Sequence, residues 1–312
     1  MESDLCNKGV LVSVVVVSYN SSKHILETLE SIKEQTYRNI ELIISDDASA
    51  DTTLEIAQGW VYENECRFAA AKIITTHKNT GIPANCNRGI FAANGEYIKL
   101  IAADDLLCED CIENNLDYAS RYSGDILFSF VSVLENNVER IDAHDRGEMV
   151  AFFSKDRRQK LKELLRRNSQ YFNPPTIFLR SDALRKIGYF DESYRRLEDL
   201  PFYINAAMKG YNLDLLQKVT VKRRVHVDSL ATSKKSISPF RQEFLGNLYE
   251  CYRDKQRPYL KFYNLKDLFA MIMSDMTFRQ YKEPDTLVKI LYKIILFLAR
   301  LKSLLMKRMN VK

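Results

Sequence analysis

Three pairs of adjacent carboxylates could do chemistry: Asp46-Asp47, Asp104-Asp105 and Glu198-Asp199. Neighbouring carboxylates repel, so a fold keeps them where a cation, hydrogen-bond donors or solvent offset the charge. The first two pairs come close behind the apolar runs Ile40–Ser45 and Tyr97–Ala102. Asp104-Asp105 offers hard oxygen ligands of the kind that Mg2+ or Mn2+ take together with substrate phosphate oxygens. Its plainer role is to cap the helix that follows. Asp46-Asp47 could hydrogen-bond a ligand NH or hydroxyl, or cap the next helix from a solvated loop. Glu198-Asp199 heads an amphipathic helix among Leu197, Leu200 and Phe202. It either satisfies the helix macrodipole or supplies a general base whose pKa is tuned by the helix end and by burial. His226 follows Arg223-Arg224 and suits a metal, a phosphate or a structural role. Lys78 and Arg88 flank an Asn-Thr-Gly turn, where either could reach a diphosphate or remain solvated.

The elements that must position these groups alternate over the first 135 residues. Val10–Ser18 is a β-branched run, as in a strand buried on both faces. Ile25, Leu29 and Ile32 recur at helical spacing up to Gln35, and Ile40–Ser45 reads as a second strand. Thr52 with Glu55 predicts a capping box for the next helix. Lys72–Thr76 is a third strand, and Pro83 is placed to open a helix that Gly95 has stopped. Tyr97–Ala102, a helix over Glu109–Tyr122 and a strand over Asp125–Leu134 follow. This order predicts an α/β fold: a mostly parallel sheet flanked by helices. Ligands of such sheets bind beyond the C-terminal strand ends. Ser18-Tyr19-Asn20, Asp46-Asp47, His77-Lys78-Asn79 and Asp104-Asp105 all fall there. Beyond, Asn136–Glu148 reads as a polar loop, Ser154–Arg167 as a basic helix and Asn173-Pro174-Pro175 as an extended corner. Helices over Asp182–Ile187 and Leu200–Lys209, a strand over Thr220–Val227 and a helical region from Phe240 complete the pattern.

The chain has 312 residues, 46% apolar and 28% charged, which excludes a disordered or fibrous protein. Its formal net charge of +5 is too small to argue for nucleic acid. Six scattered cysteines include one Cys-x-x-Cys pair, Cys108 and Cys111, with no second pair for a zinc site. Reduced thiols in a cytosolic protein are expected. The N-terminus lacks a signal pattern, and no run reaches the ~18 uncharged apolar residues of a spanning helix. From Thr286 to Lys312 there are seven Lys/Arg and no acid, with Leu287, Ile290, Leu291, Ile294, Ile295 and Leu298 on one helical stripe. Such a basic amphipathic helix suits a membrane interface or a partner surface.

Taken in order, these motifs resemble the family 2 inverting glycosyltransferases of the GT-A fold. The resemblance rests on Val14–Asn20 (VVVVSYN), Ser31–Tyr37 (SIKEQTY), Glu41–Thr53 (ELIISDDASADTT), Asn79–Gly89 (NTGIPANCNRG), Gly95–Leu106 (GEYIKLIAADDL) and Arg196–Asp199 (RLED). It implies a Rossmann-like GT-A sheet with a helical C-terminal extension. Residues 1–135 would bind a nucleotide-sugar donor through Ser18, Tyr19, Asn20, Asp47, Lys78, Arg88 and Asp104, with Tyr19 stacking on the base and Asp47 bonding its NH. Asp105, Asp104 and His226 would hold the Mn2+ or Mg2+, and Asp199 would be the catalytic base. Residues 136–235 would hold the acceptor, with Glu198 among its contacts, and residues 236–312 would carry the membrane-associating helix. The implied reaction moves a hexose or N-acetylhexosamine from a UDP-sugar to a lipid-linked or saccharide acceptor in bacterial O-antigen or capsule assembly. The implied place is the cytoplasmic face of the inner membrane, with no nucleic-acid partner. Two positions depart from the family pattern: Ala102 replaces a frequent first acid, and Cys86 a frequent Arg. A nucleotidyltransferase would want a Gly-rich loop after the first strand, where SYNSS stands. A non-catalytic binding protein would have no need of Asp47, Asp104, Asp105 and Asp199 together.

Overall fold

The computed structural model describes residues 9–122, 124–135, 138–141, 146–166, 172–225, 239–261 and 267. The chain forms two compact units, residues 1–164 with 168–236, and residues 165–167 with 237–312. In the first unit, β1 (Val12–Ser18) and β2 (Ile40–Asp46) are almost wholly buried, as their unbroken apolar runs require. The helix α1 (Ile25–Lys33) buries Ile25, Thr28, Leu29 and Ile32, one face at helical spacing. Then come α2 (Thr53–Asn64), β3 (Ala70–Thr75), α3 (Ile82–Phe91), β4 (Tyr97–Ala102), the short β5 (Leu106–Leu107), α4 (Cys111–Tyr122) and β6 (Ile126–Glu135). Pro83 sits in the first turn of α3, where its missing N–H costs nothing. Gly89 lets α3 press onto the sheet: a Cβ there would lie 2.4 Å from Val15 Cγ1.

The sheet runs β3-β2-β1-β4 in parallel. It continues through β8 (Phe178–Arg180), antiparallel to both β4 and β6, and then through β9 (Asp214–Val225), parallel to β6 and antiparallel to β5. Ser18 pairs with Asp46, and Val17 with Ala102. The polar segments after β1, β2 and β4 therefore leave the same edge.

Several local expectations are corrected. The segment expected as a polar loop holds β7 (Val138–Ile141), which pairs with β6, and the start of α5 (Arg146–Phe153). The basic helix is α6 (Arg157–Arg166), which begins three residues later than expected because Asp156 accepts the Gln159 N–H. Pro174–Thr176 is a 3-10 turn, because Thr176 N–H bonds back to Asn173 O. The Thr52 capping box does not form. Asp51 supplies the acceptor instead, taking the Thr53 N–H at 3.0 Å. The remaining helices are α7 (Ser181–Ile187) and α8 (Asp199–Met208), and the second unit contains α9 (Pro239–Cys251).

Two parts of the core pack differently. An aliphatic core of Val, Ile and Leu lies under β1, β2 and β4, whereas Phe128, Phe153, Phe172 and Tyr203 form an aromatic cluster with ring centroids 4.4–5.5 Å apart. Lys99, fully buried on β4, ties that strand to the 3-10 turn by donating to Pro175 O at 2.5 Å. Burial holds its pKa down at about 8. No helix among the described residues is long and apolar enough to cross a membrane.

Candidate active site

The first acidic pair turns inward. Asp46 is fully buried and accepts from Ser18 Oγ at 3.0 Å, from Ser49 N at 2.8 Å and from Ser49 Oγ at 2.5 Å. Ser18 is 1% exposed, and its hydroxyl on Asp46 supports the strand edge. Asn20, at a left-handed φ of 50°, accepts the Ala50 N–H on Oδ1 and donates its own N–H to Ser49 Oγ. It pins the loop after β2. Between these anchors Tyr19 is 47% exposed, an open aromatic face at the sheet edge.

Asp47 is also filled from within. It accepts from Thr80 Oγ1 at 2.6 Å, from the Thr80 and Gly81 N–H groups at 2.9 Å and from Arg88 at 3.2 Å. Burial alone would raise its pKa, but these donors outweigh it and hold the carboxyl below the ordinary aspartate range. Asp47 therefore fixes the turn before α3. The Arg88 guanidinium is shared among Asp47, Thr80 Oγ1, Asn85 Oδ1 and Asp46 O. Lys78, on the same turn, is exposed.

That turn also receives the segment that leads into the third acidic pair. Ile82 N–H donates to Arg195 O at 3.0 Å, and Arg195 donates to Asn79 O and Oδ1 at 3.0 and 2.8 Å. Gly81 makes the contact possible: its φ is 99°, and a Cβ would lie 2.4 Å from Arg195 Cγ and 2.5 Å from Arg195 O. Glu198 then precedes α8 and Asp199 opens it, with Asp199 Oδ1 accepting the Leu200 N–H at 2.7 Å. Burial, and next the charge of Asp199, push the Glu198 carboxyl well up. Buried Cys86 on α3 feels both Glu198 and Asp47, which, after burial itself, raise its thiol pKa. The turn before α3 and the later acids thus face one region.

The pair after β4 is held differently. Asp105 is buried, and its Oδ1 accepts the Arg224 N–H at 2.8 Å. Thr28 Oγ1 on α1 donates to Asp105 O at 2.8 Å, and Arg224 Nε to Asp104 O at 3.1 Å. Asp104 is half-buried beside it. Burial, then the charge of Asp104, raise the Asp105 pKa. A buried carboxylate whose charge is disfavoured in this way, beside a second carboxylate, fits a hard divalent cation. Among the described residues no group of three or more His, Cys, Asp and Glu gathers. His226 and the stripe over residues 287–309 lie outside the described residues.

Sequence reasoning missed Thr80, Asn85, Thr28 and Arg224. Asn85 bridges Ser45 Oγ and Ser18 O from α3, and Arg224 reaches the turn after β4 from β9. For each, the partner is distant in the chain, and no local pattern announces it.

The family model for glycosyl transferase family 2 matches residues 13–188. The amylovoran biosynthesis glycosyltransferase AmsB of Erwinia amylovora is 30% identical over 219 residues, 67% of this chain and 68% of that protein. The crystal structure of Staphylococcus aureus TarS residues 1–349 with UDP shares the fold, with TM-score 0.56 at 19% identity, covering 88% of this chain and 81% of that one. So does the mannosyltransferase PcManGT of Pyrobaculum calidifontis in complex with GDP-Man and Mn2+, with TM-score 0.58 at 19% identity, covering 93% and 80%.

Proposed function

The chain belongs to glycosyl transferase family 2, and from that premise we propose that it is a metal-dependent inverting hexosyl- or N-acetylhexosaminyltransferase. Its donor is a nucleotide sugar, with UDP the favoured nucleotide. Its acceptor is a hydroxyl of a lipid-linked or saccharide substrate in bacterial polysaccharide assembly, such as O-antigen or capsule. The observation that carries the reading is the docking of the Arg195–Asp199 segment on the turn that Asp47 holds, at the edge from which Asp104-Asp105 emerges.

Residues 1–135 form the donor half. Tyr19 stacks on the base and Lys78 lies within reach of the diphosphate. Asp104 and Asp105 are the residues to hold Mn2+ or Mg2+, with His226 a further ligand. When bound, the cation supplies charge neutralisation for the departing nucleoside diphosphate. Residues 136–235 form the acceptor half, with Glu198 contacting the acceptor. Asp199 takes the proton from the acceptor hydroxyl as its oxygen attacks the anomeric carbon opposite the leaving group. Attack from that face inverts configuration. Burial and the neighbouring Asp199 charge raise the pKa of Glu198 beside that base.

Residues 236–312 supply membrane association through the basic stripe, at ~1 kcal/mol per Lys or Arg near anionic lipid, on the cytoplasmic face of the inner membrane. The test is nucleotide release from UDP- and GDP-sugars with lipid-linked and saccharide acceptors, with and without Mn2+. Acceptor-dependent UDP release that chelation abolishes is the expected result. Pyrophosphate release, or no turnover with any sugar nucleotide, overturns the reading.

A further inference from the structure

Arg224 is the one residue that touches both members of the second acidic pair among the bonds described above. It is 8% exposed near the end of β9. Its backbone N–H reaches Asp105 Oδ1, its Nε reaches Asp104 O, and its NH2 donates to Glu27 Oε2 on α1 at 2.6 Å. The next residue of α1, Thr28, bonds Asp105 O. The turn after β4 is therefore gripped from two elements far apart in sequence.

The chemistry of this grip separates two functions of the arginine. The backbone bond to Asp105 survives any side chain at position 224. The guanidinium adds a fixed bond to the Asp104 carbonyl, and with it the orientation of the peptide joining the two acids. A buried guanidinium needs a carboxylate to offset its charge, and Glu27 supplies it. The Glu27 side chain is 53% exposed, so its loss leaves the apolar core untouched. The pair is thus poorly suited to adding stability and well suited to fixing a direction, since the planar fork holds two acceptors at set angles.

We infer that the Glu27–Arg224 pair is a positioning device for the Asp104-Asp105 cation site: it sets the turn so that both carboxylates are presented before the donor arrives. The inference rests on the metal role assigned to Asp104 and Asp105 above. Both residues act through the turn. Partners of this kind orient ligands, and their loss costs metal affinity roughly 10- to 100-fold.

The test uses the full chain as wild type, Glu27→Ala, Arg224→Lys and Arg224→Met, with Arg121→Gln, whose ion pair with Asp117 is exposed, as control. Mn2+ affinity is read by electron paramagnetic resonance in the presence of UDP, beside melting temperature and steady-state kinetics. Glu27→Ala and Arg224→Met are expected to weaken Mn2+ by roughly 10- to 100-fold, with Arg224→Lys between them and wild type. Excess Mn2+ should restore most of kcat while KM for the donor stays raised. Arg121→Gln should match wild type. Unchanged Mn2+ affinity in Glu27→Ala overturns the inference, whatever happens to melting. Should Arg224→Met fail to fold, Glu27→Ala decides alone. A wild type that binds no Mn2+ with UDP overturns the metal reading itself, a result distinct from variants that behave as wild type.

Discussion

At the end of β2, Asp47 receives bonds from Thr80, Gly81 and Arg88, and its carboxyl titrates below the ordinary range. At the end of β4, Asp105 receives one backbone N–H on Oδ1, sits beside Asp104, and titrates above it. The two pairs look alike in sequence, each a doublet close behind an apolar strand. In the fold, one has its charge absorbed by the protein and the other has it left over. Absorbed charge shapes the crevice, and left-over charge is what a cation or a proton can act on. The Glu198-Asp199 pair belongs with the second kind, for burial and mutual repulsion raise Glu198 as well.

The contrast can be broken at the acids themselves. The largest effect is expected at Asp199. Asp199→Asn should lower kcat by roughly 10²- to 10⁴-fold while UDP binding stays near wild type. Steady-state UDP release and a binding isotherm measure the two, and a kcat within a few-fold of wild type would place the base elsewhere.

Next comes the pair of substitutions that compares the two rims directly. Asp47→Asn puts an amide NH2 against N–H donors and should cost about 1–3 kcal/mol in urea unfolding. Asp105→Asn keeps an oxygen for Arg224 N–H and sheds a disfavoured charge, so it should stay within about 1 kcal/mol of wild type while losing Mn2+ affinity. The pH dependence follows from the depressed pKa. The Asp47 contribution is present above the unfolded value near 3.8 and is lost as pH falls through the lower folded value. Wild type and Asp47→Asn should therefore converge in stability as the solution is acidified below pH 3.8. Equal costs for the two substitutions would erase the distinction.

The smallest effect sharpens the first rim. Asp51→Ala removes the acceptor at the start of α2 and should cost about 1 kcal/mol, whereas Thr52→Ala and Glu55→Ala should stay within about 0.5 kcal/mol. Thermal denaturation distinguishes them. A reversed ranking would restore the capping box.

The parallel half of the fold was legible because burial on both faces demands apolar runs, and Val12–Ser18 and Tyr97–Ala102 have them. The β7 hairpin was not, since Val138–Ile141 is exposed where described and carries Glu139 and Arg140 among apolar neighbours. The 3-10 turn at Pro174–Thr176 was hidden for another reason: proline fixes φ, but the hydrogen bond to Asn173 O decides the turn. In the site, the acids were visible as residue types. Their electrostatic state was not, because it depends on donors such as Thr80 and Arg224 that lie 33 and 119 residues away in the chain.

Gly81 carries a last consequence. At that position the backbone of the turn before α3 and the Arg195 backbone meet with room for a hydrogen atom only. That atom's radius gauges the gap between the turn that Asp47 holds and the segment leading into Glu198-Asp199. One added methyl would pry these two jaws apart while leaving every acid intact.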